Sequence, residues 1–321
     1  MVTEFGVELD DGRLLHAYDS GGEGPVVYWH HGSPNIGEPP APLFETADRL
    51  GIRWLSHNRP GYGASTAVPG RTIGSVAADV KAVADAAGVQ QFAVMGHSGG
   101  AAHALACAAL LQDRVIAAAA ISGLSPFNEK PSNEKPSNED GMPDWYAGMA
   151  DGAASSLRAA SQGRPALEQH YAQATGEEDI GFLPADWEAL QSDWSWFDQV
   201  VAPALLMGPG GLIDDDLAST RPWGFDLAAI TCPVLLIHGA ADRMVPATHS
   251  EWLKAHIQHA ELREIPDAGH ITAMRQGHAA LEWLKNQGAA TETGGRPKGQ
   301  TARRTPPARR SGPPRPWSGS G

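Results

Sequence analysis

Phe92-Ala93-Val94-Met95-Gly96-His97-Ser98-Gly99-Gly100-Ala101 is the stretch that decides the fold of this chain. Its first four residues are wholly apolar, which suits a strand buried on both faces, as in a parallel sheet. From Ala101 to Leu111 the chain is alanine-rich and reads as a helix. Between strand and helix lies a Gly-x-Ser-x-Gly pattern, Gly96 to Gly100. Small residues beside Ser98 let the chain turn sharply and lift the hydroxyl above the sheet edge, at a helix start whose free N–H groups favour negative charge. The pattern alone is a weak signal. Its place between a buried strand and a small-residue helix makes Ser98 the candidate nucleophile.

On either side of this turn, strands and helices alternate. Phe5–Leu9 and Arg13–Tyr18 flank Asp10-Asp11-Gly12 and read as an N-terminal hairpin. Further strands are expected at Val26–His30, Ile52–Ser56, Val115–Ile121, Pro233–His238 and Glu261–Ile265. Helices are expected at Pro42–Leu50, Thr72–Ala87, Thr248–Ile257 and Ala279–Asn286. The fold class is therefore α/β: a mostly parallel central sheet covered by helices on both faces. The alternation breaks between Leu124 and Asp226, a stretch too long for a simple connection. Residues 125–225 read as an inserted, mainly helical cap, and residues 1–124 with 226–287 as the core domain. The cap holds Trp145, Trp187, Trp194, Trp196 and Trp223, of which at least one is expected to face Ser98. It begins with Asn-Glu-Lys-Pro-Ser twice, Asn128–Ser137, read as an exposed duplicated loop. Residues 288–321 are Gly, Pro, Ser, Thr and Arg, and read as a disordered basic tail.

Charge and cysteine usage narrow the function classes. Lys and Arg number 24 against 37 Asp and Glu, a formal net charge of −13. Such a surface repels phosphate backbones, so nucleic acid is excluded as a partner of the body. Cys107 and Cys232 read as small buried residues and not as a disulfide framework. Met1–Asp11 has no secretory pattern and no stretch is long enough to span a bilayer, so the expectation is a cytoplasmic protein without membrane partners.

A serine hydroxyl needs a base within hydrogen-bond reach. His270 follows the last strand in Pro266-Asp267-Ala268-Gly269-His270, and loops at the carboxyl ends of parallel strands converge on one rim. His249, His256, His259 and His278 sit on helical stretches and read as surface residues. The base needs an acid to fix its tautomer. Asp242, after the strand Pro233–His238, sits at the same rim; Asp267 is its rival, too close to His270 in a tight loop to point at it. A tetrahedral oxyanion needs fixed donors. The candidates are the backbone N–H groups of Gly99 and of Ser33, in His30-His31-Gly32-Ser33-Pro34, where Pro34 has no N–H to offer. His30 and His31 lack further ligands nearby, so structural roles are expected and no metal.

These motifs, His31-Gly32-Ser33-Pro34, Arg59-Pro60-Gly61-Tyr62-Gly63-Ala64-Ser65, Gly96–Gly100, His238-Gly239-Ala240-Ala241-Asp242 and Gly269-His270, resemble the α/β-hydrolase superfamily, in its order, from Phe5 to Trp283. Asn58 stands where members often have Asp, a change expected to affect local capping. The resemblance implies a serine hydrolase with Ser98, Asp242 and His270 as triad, and no cofactor. Dehalogenases and epoxide hydrolases of this fold carry Asp at the turn, so Ser98 disfavours both. The expected substrate is a small carboxylic ester or lactone. Two alternatives stay open: an aminopeptidase like the proline iminopeptidases, with an amine held by cap acids such as Glu177, Glu178 or Glu188, and a small-molecule receptor that retains the triad.

Overall fold

Successive side chains along each central strand enter different cores, and both cores are apolar. On the strand Val26–His30, Val26 and Tyr28 join one buried cluster while Val27 and Trp29 join the other. Phe92 and Val94 likewise oppose Ala93 and Met95, and Val234 and Leu236 oppose Leu235 and Ile237. A strand so clad must be buried on both faces, which is why these runs read as continuous apolar stretches.

The computed structural model describes residues 2–127, 144–176 and 178–293. The duplicated segment at 128–137, Glu177 and the basic residues from Arg296 onward lie outside them. Eight strands form one sheet: β1 (Thr3–Glu8), β2 (Leu14–Asp19), β3 (Val26–His30), β4 (Arg53–His57), β5 (Phe92–His97), β6 (Val115–Ile121), β7 (Val234–Gly239) and β8 (Ala260–Ile265). Their order is β1-β2-β4-β3-β5-β6-β7-β8. β1 and β2 form the expected antiparallel hairpin, β2 pairs β4 antiparallel, and every pairing from β4 to β8 is parallel.

Helices α1 (Phe44–Leu50), α2 (Val76–Ala86) and α3 (Gly99–Leu110) precede β6. Val76, Val80 and Val83 of α2 and the alanines of α3 fill one face, along with Leu253 of α9 (Thr248–His256). Ala47 of α1 and Ala280, Leu281 and Leu284 of α10 (Gly277–Thr293) fill the other. α10 runs past Asn286 to Thr293, into residues read from sequence as the start of the tail; Ala289, Ala290 and Glu292 are helix formers that carry it on.

Between β6 and β7 the described residues form α4 (Asp151–Ser161), α5 (Arg164–Gln173), α6 (Pro184–Leu190), α7 (Phe197–Leu205) and α8 (Gly210–Ser219). Among the described residues no helix is long and apolar enough to cross a membrane. Cys107 is buried, Cys232 is half-buried, and both are free thiols.

Candidate active site

Four loops leave the carboxyl ends of β3, β5, β7 and β8, and each brings one of the candidate groups to the same rim. At the end of β5 the chain turns into α3 through Ser98, whose φ of +54° and ψ of −127° lie outside the ordinary regions for a side-chain-bearing residue. Such a conformation costs on the order of 1–3 kcal/mol and persists only where the surroundings fix it. Here the Ser98 N–H donates to Ile121 O at 2.9 Å and Ala101 N–H donates to Ser98 O at 2.9 Å. The glycines are steric necessities. A Cβ on Gly100 would stand 2.1 Å from the His30 carbonyl oxygen, and one on Gly99 2.6 Å from Ser33 Oγ. The second would also stand 3.8 Å from Ser33 N.

After β7 the chain turns at Asp242. Its Oδ1 accepts from the N–H groups of Met244 and Val245, both at 2.9 Å. That pins the carboxylate and leaves Oδ2 for His270 Nδ1, 2.7 Å away. With the proton on Nδ1, Nε2 of His270 is left as an acceptor. Burial would raise the Asp242 carboxyl, but His270 and the nearby His238 outweigh it and hold the group well below the usual carboxylate range. Asp267, the rival acid, is exposed. His97, beside the nucleophile, has its Nε2 3.1 Å from His270 O, and burial with the adjacent His270 lowers it to about 3.

His238 was read from the sequence as the end of a strand and the start of the motif that leads to Asp242, with no role of its own. Its Nε2 lies 2.7 Å from Val245 O and 3.5 Å from Asp242 Oδ2, and its Nδ1 lies 2.6 Å from Ser250 Oγ. It backs the carboxylate. His249 overturns its reading as a surface residue. It is fully buried, its Nδ1 faces Ser125 N at 3.1 Å, and Trp145 packs edge-on against its ring at 5.2 Å. The insert covers the face of α9 that would otherwise meet water. His256, His259 and His278 are exposed.

The Ser33 loop is held by a buried ionic network. Asp215 of α8 accepts from Ser33 Oγ at 2.5 Å, Tyr62 OH at 2.8 Å, Arg59 Nη2 at 2.6 Å and Arg71 Nη2 at 2.5 Å. Burial opposes the charge, but Arg59 and Arg71 outweigh it and keep the Asp215 carboxyl well below its ordinary range. Arg59 also donates to the carbonyls of His31 and Gly32. His31 accepts from Arg59 N at Nε2, a structural role as expected. Among the described residues no group of three His, Cys, Asp or Glu side chains is placed to hold a metal ion. Asn58 accepts from Gly37 N at 2.5 Å, a contact between two loops and not the local cap expected.

The His270 loop is held from α6. Asp186, fully buried, accepts from Ile271 N at 3.1 Å and from Thr272 N and Oγ1 at 2.8 and 2.9 Å. Neither Asp186 nor Asp215 stands out in the sequence, where one reads as a helix start and the other as part of an acidic run.

Two cavities meet at Ser98. The first, about 290 Å³, is lined by Ser98, His270, Phe182, Leu190, Phe197 and Val201, among others. The second, about 300 Å³, shares Ser33, Pro34, Ser98, Ile180 and Met244 with it and extends between α4, α5 and α8. No cap tryptophan lines either cavity, contrary to the expectation. Trp194 and Trp196 pack with Trp29 and Phe197 in the core, and the Trp145 indole donates to Ser125 O at 3.0 Å. Trp223 stacks on Phe225, and the half-exposed Trp187 packs behind Phe182. These large rings seal the insert to the sheet domain; smaller apolar side chains line the space they leave. The Glu178 carboxylate is occupied by Thr175 N and Gly176 N, and Glu188 is exposed.

Comparison with known proteins places this geometry in a family context. A family described as alpha/beta hydrolase fold matches residues 25–275. A protein of Klebsiella pneumoniae named for carbamate hydrolysis is 27% identical over 241 residues, covering 70% of this chain and 80% of its own. A bifunctional esterase/perhydrolase of Acinetobacter calcoaceticus is 28% identical over 229 residues, covering 70% and 76%. Among solved structures, the enol-lactonase of Burkholderia xenovorans superposes with a TM-score of 0.63 at 19% identity, covering 89% of this chain and all of that one.

Proposed function

Because the chain belongs to the alpha/beta hydrolase fold family and is a hydrolase, we propose that it cleaves small carboxylic esters or lactones through an acyl-enzyme on Ser98. The Ser98 hydroxyl attacks the acyl carbon while His270 Nε2 takes its proton. The oxyanion accepts from the N–H groups of Ser33 and Gly99. Asp242 holds the imidazolium that forms, and His270 then protonates the departing alkoxide. Water, deprotonated by the same nitrogen, attacks the ester on Ser98 and releases the acid. These steps require only this chain and a water molecule. Residues 125–225 act as a cap over the core domain formed by 1–124 and 226–287, supplying walls to both cavities.

The observation that carries this reading is the 2.7 Å contact between Asp242 and His270 beside a cavity that Ser98 and His270 both line. Two relatives named for esterase and carbamate chemistry support attack at a carbonyl carbon joined to a heteroatom. Of the acids named for the aminopeptidase alternative, Glu178 is engaged by its own loop, Glu188 is exposed and Glu177 lies outside the described residues. The test is Ser98→Ala, assayed on p-nitrophenyl butyrate. Turnover should fall at least about a thousandfold with the melting temperature unchanged. Undiminished turnover would refute the assignment.

A further inference from the structure

Asp214, Asp215 and Asp216 follow one another on α8, and the helix turns each about 100° from the last, so the three carboxylates look into different surroundings. Two of them are neutralised. Asp214 pairs with Arg164, and Asp215 pairs with both Arg59 and Arg71. Asp216 has no such partner. Among the described residues its single hydrogen-bond donor is the phenol of Tyr171, 2.5 Å from Oδ2. Yet Asp216 lines the second cavity, the one that reaches Ser98. Leu124, Leu157 and Val245 give that cavity apolar walls, and Ser156, His170, Tyr171, Glu178 and Ser219 line it together with Asp216. The two serine hydroxyls already donate to backbone carbonyls of Ala153 and Asp215, so neither serves the carboxylate.

We propose that Asp216 is a specificity-determining residue that receives a cationic group, an ammonium or quaternary ammonium, carried by the ester substrate on the side that enters the second cavity. This rests on the reading of Ser98 as the nucleophile. A carboxylate on a cavity wall without a paired cation is costly, and either a proton or a cation carried by the ligand relieves that cost. Burial and the neighbouring Asp215 push Asp216 up to about 7, a direction that an arriving cation would reverse. The net charge of −13 draws cations toward the protein.

The experiment compares trimethylammonium-bearing esters with their tert-butyl isosteres, matched in shape and differing in charge. The cation is placed on the acyl or the alcohol side, with spacers of varied length. At pH 8, kcat/KM for at least one cationic ester should exceed that of its isostere by about tenfold, the order of a hydrogen-bonded charge contact. Asp216→Asn should bring this ratio to about 1. Because a ratio is read, any general loss of activity cancels. Tyr171→Phe, which leaves the carboxylate in place, should retain the preference. The same comparison by equilibrium binding to the Ser98→Ala variant reads the preference without turnover. A ratio at or below 1 throughout, or a preference that survives Asp216→Asn, overturns the proposal. Failure of the nucleophile assignment shows separately, as ester hydrolysis that persists in Ser98→Ala.

Discussion

Replacing Asp186 by Ala should loosen the loop that carries His270. The fully buried carboxylate accepts four hydrogen bonds: Leu183 N at 3.0 Å, Ile271 N at 3.1 Å, Thr272 N at 2.8 Å and Thr272 Oγ1 at 2.9 Å. Alanine leaves three of those donors as backbone N–H groups without a partner. At about 1 kcal/mol for each lost bond the variant should be destabilised by roughly 3–4 kcal/mol. In a chain of this size that corresponds to a fall in melting temperature of roughly 5–7 °C. The two N–H groups at 271 and 272 lie directly after His270, so its ring loses part of its fixed placement, and kcat on a p-nitrophenyl ester should fall about tenfold. KM should change little, because no cavity wall is removed. Asp193→Ala is the control. Its carboxylate pairs with Arg275 at 2.7 Å with both side chains 47% exposed, and such pairs contribute about 1 kcal/mol or less. Calorimetric melting and steady-state kinetics on both variants decide the matter. If Asp186→Ala melts within about 2 °C of the parent, as the control should, the carboxylate does not anchor the loop and the reasoning fails.

Two further outcomes follow from the same geometry. Burial holds His57, His97, His103 and His249 near 3, so below pH 6.5 the unfolded chain binds protons that the folded chain refuses. Each such group removes about 1.4 kcal/mol of stability per pH unit below 6.5, and Asp216, raised to about 7, offsets roughly one of the four. Melting temperatures should therefore be level from pH 8 to 7 and drop steeply below 6; a flat profile down to pH 4.5 would contradict the burial of these rings. Phe182→Ala should shift chain-length preference on p-nitrophenyl acetate to octanoate by severalfold, since Phe182 lines the first cavity, whereas Trp194→Ala should cost about 3–5 kcal/mol and leave the preference of the remaining folded enzyme unchanged. The opposite pairing of results would make the tryptophan the lining residue.

The parts of this fold that were legible in the sequence are those written in local pattern. The alternation of apolar side chains on β3, β5 and β7 and the small residues around Ser98 depend on neighbours a few positions apart. The mostly parallel sheet with its N-terminal hairpin follows from them; the strand order does not. What escaped was set by distant partners. Asp186 meets Ile271 across 85 positions and Arg59 meets Asp215 across 156, and nothing in either local stretch marks those aspartates as buried. His249 sits on a helix whose outward face looks amphipathic until the insert covers it. Aromatic content could not say which rings line a cavity: four of the insert's five tryptophans are buried away from both cavities, and Trp187 stays half-exposed.

The insert and the active-site loops are consequently parts of one structure. One insert carboxylate, on Asp215, fixes the loop that offers the Ser33 N–H, and a second, on Asp186, fixes the loop that offers His270. Swinging the whole insert away would strip a buried carboxylate of two arginines at one place and leave buried donors empty at the other, a cost of several kcal/mol at each. Such an opening is a poor route for a substrate in each turnover. α4 and α5 meet α8 through a small cluster of Ala160, Leu167, Ile213 and Leu217 and through Arg164 on Asp214, and α4 also enters the main core with Ala154 and Leu157. The second cavity lies beneath them, and Asp216 on its wall. Asp186 and Asp215 tie the His270 and Ser33 loops to the insert.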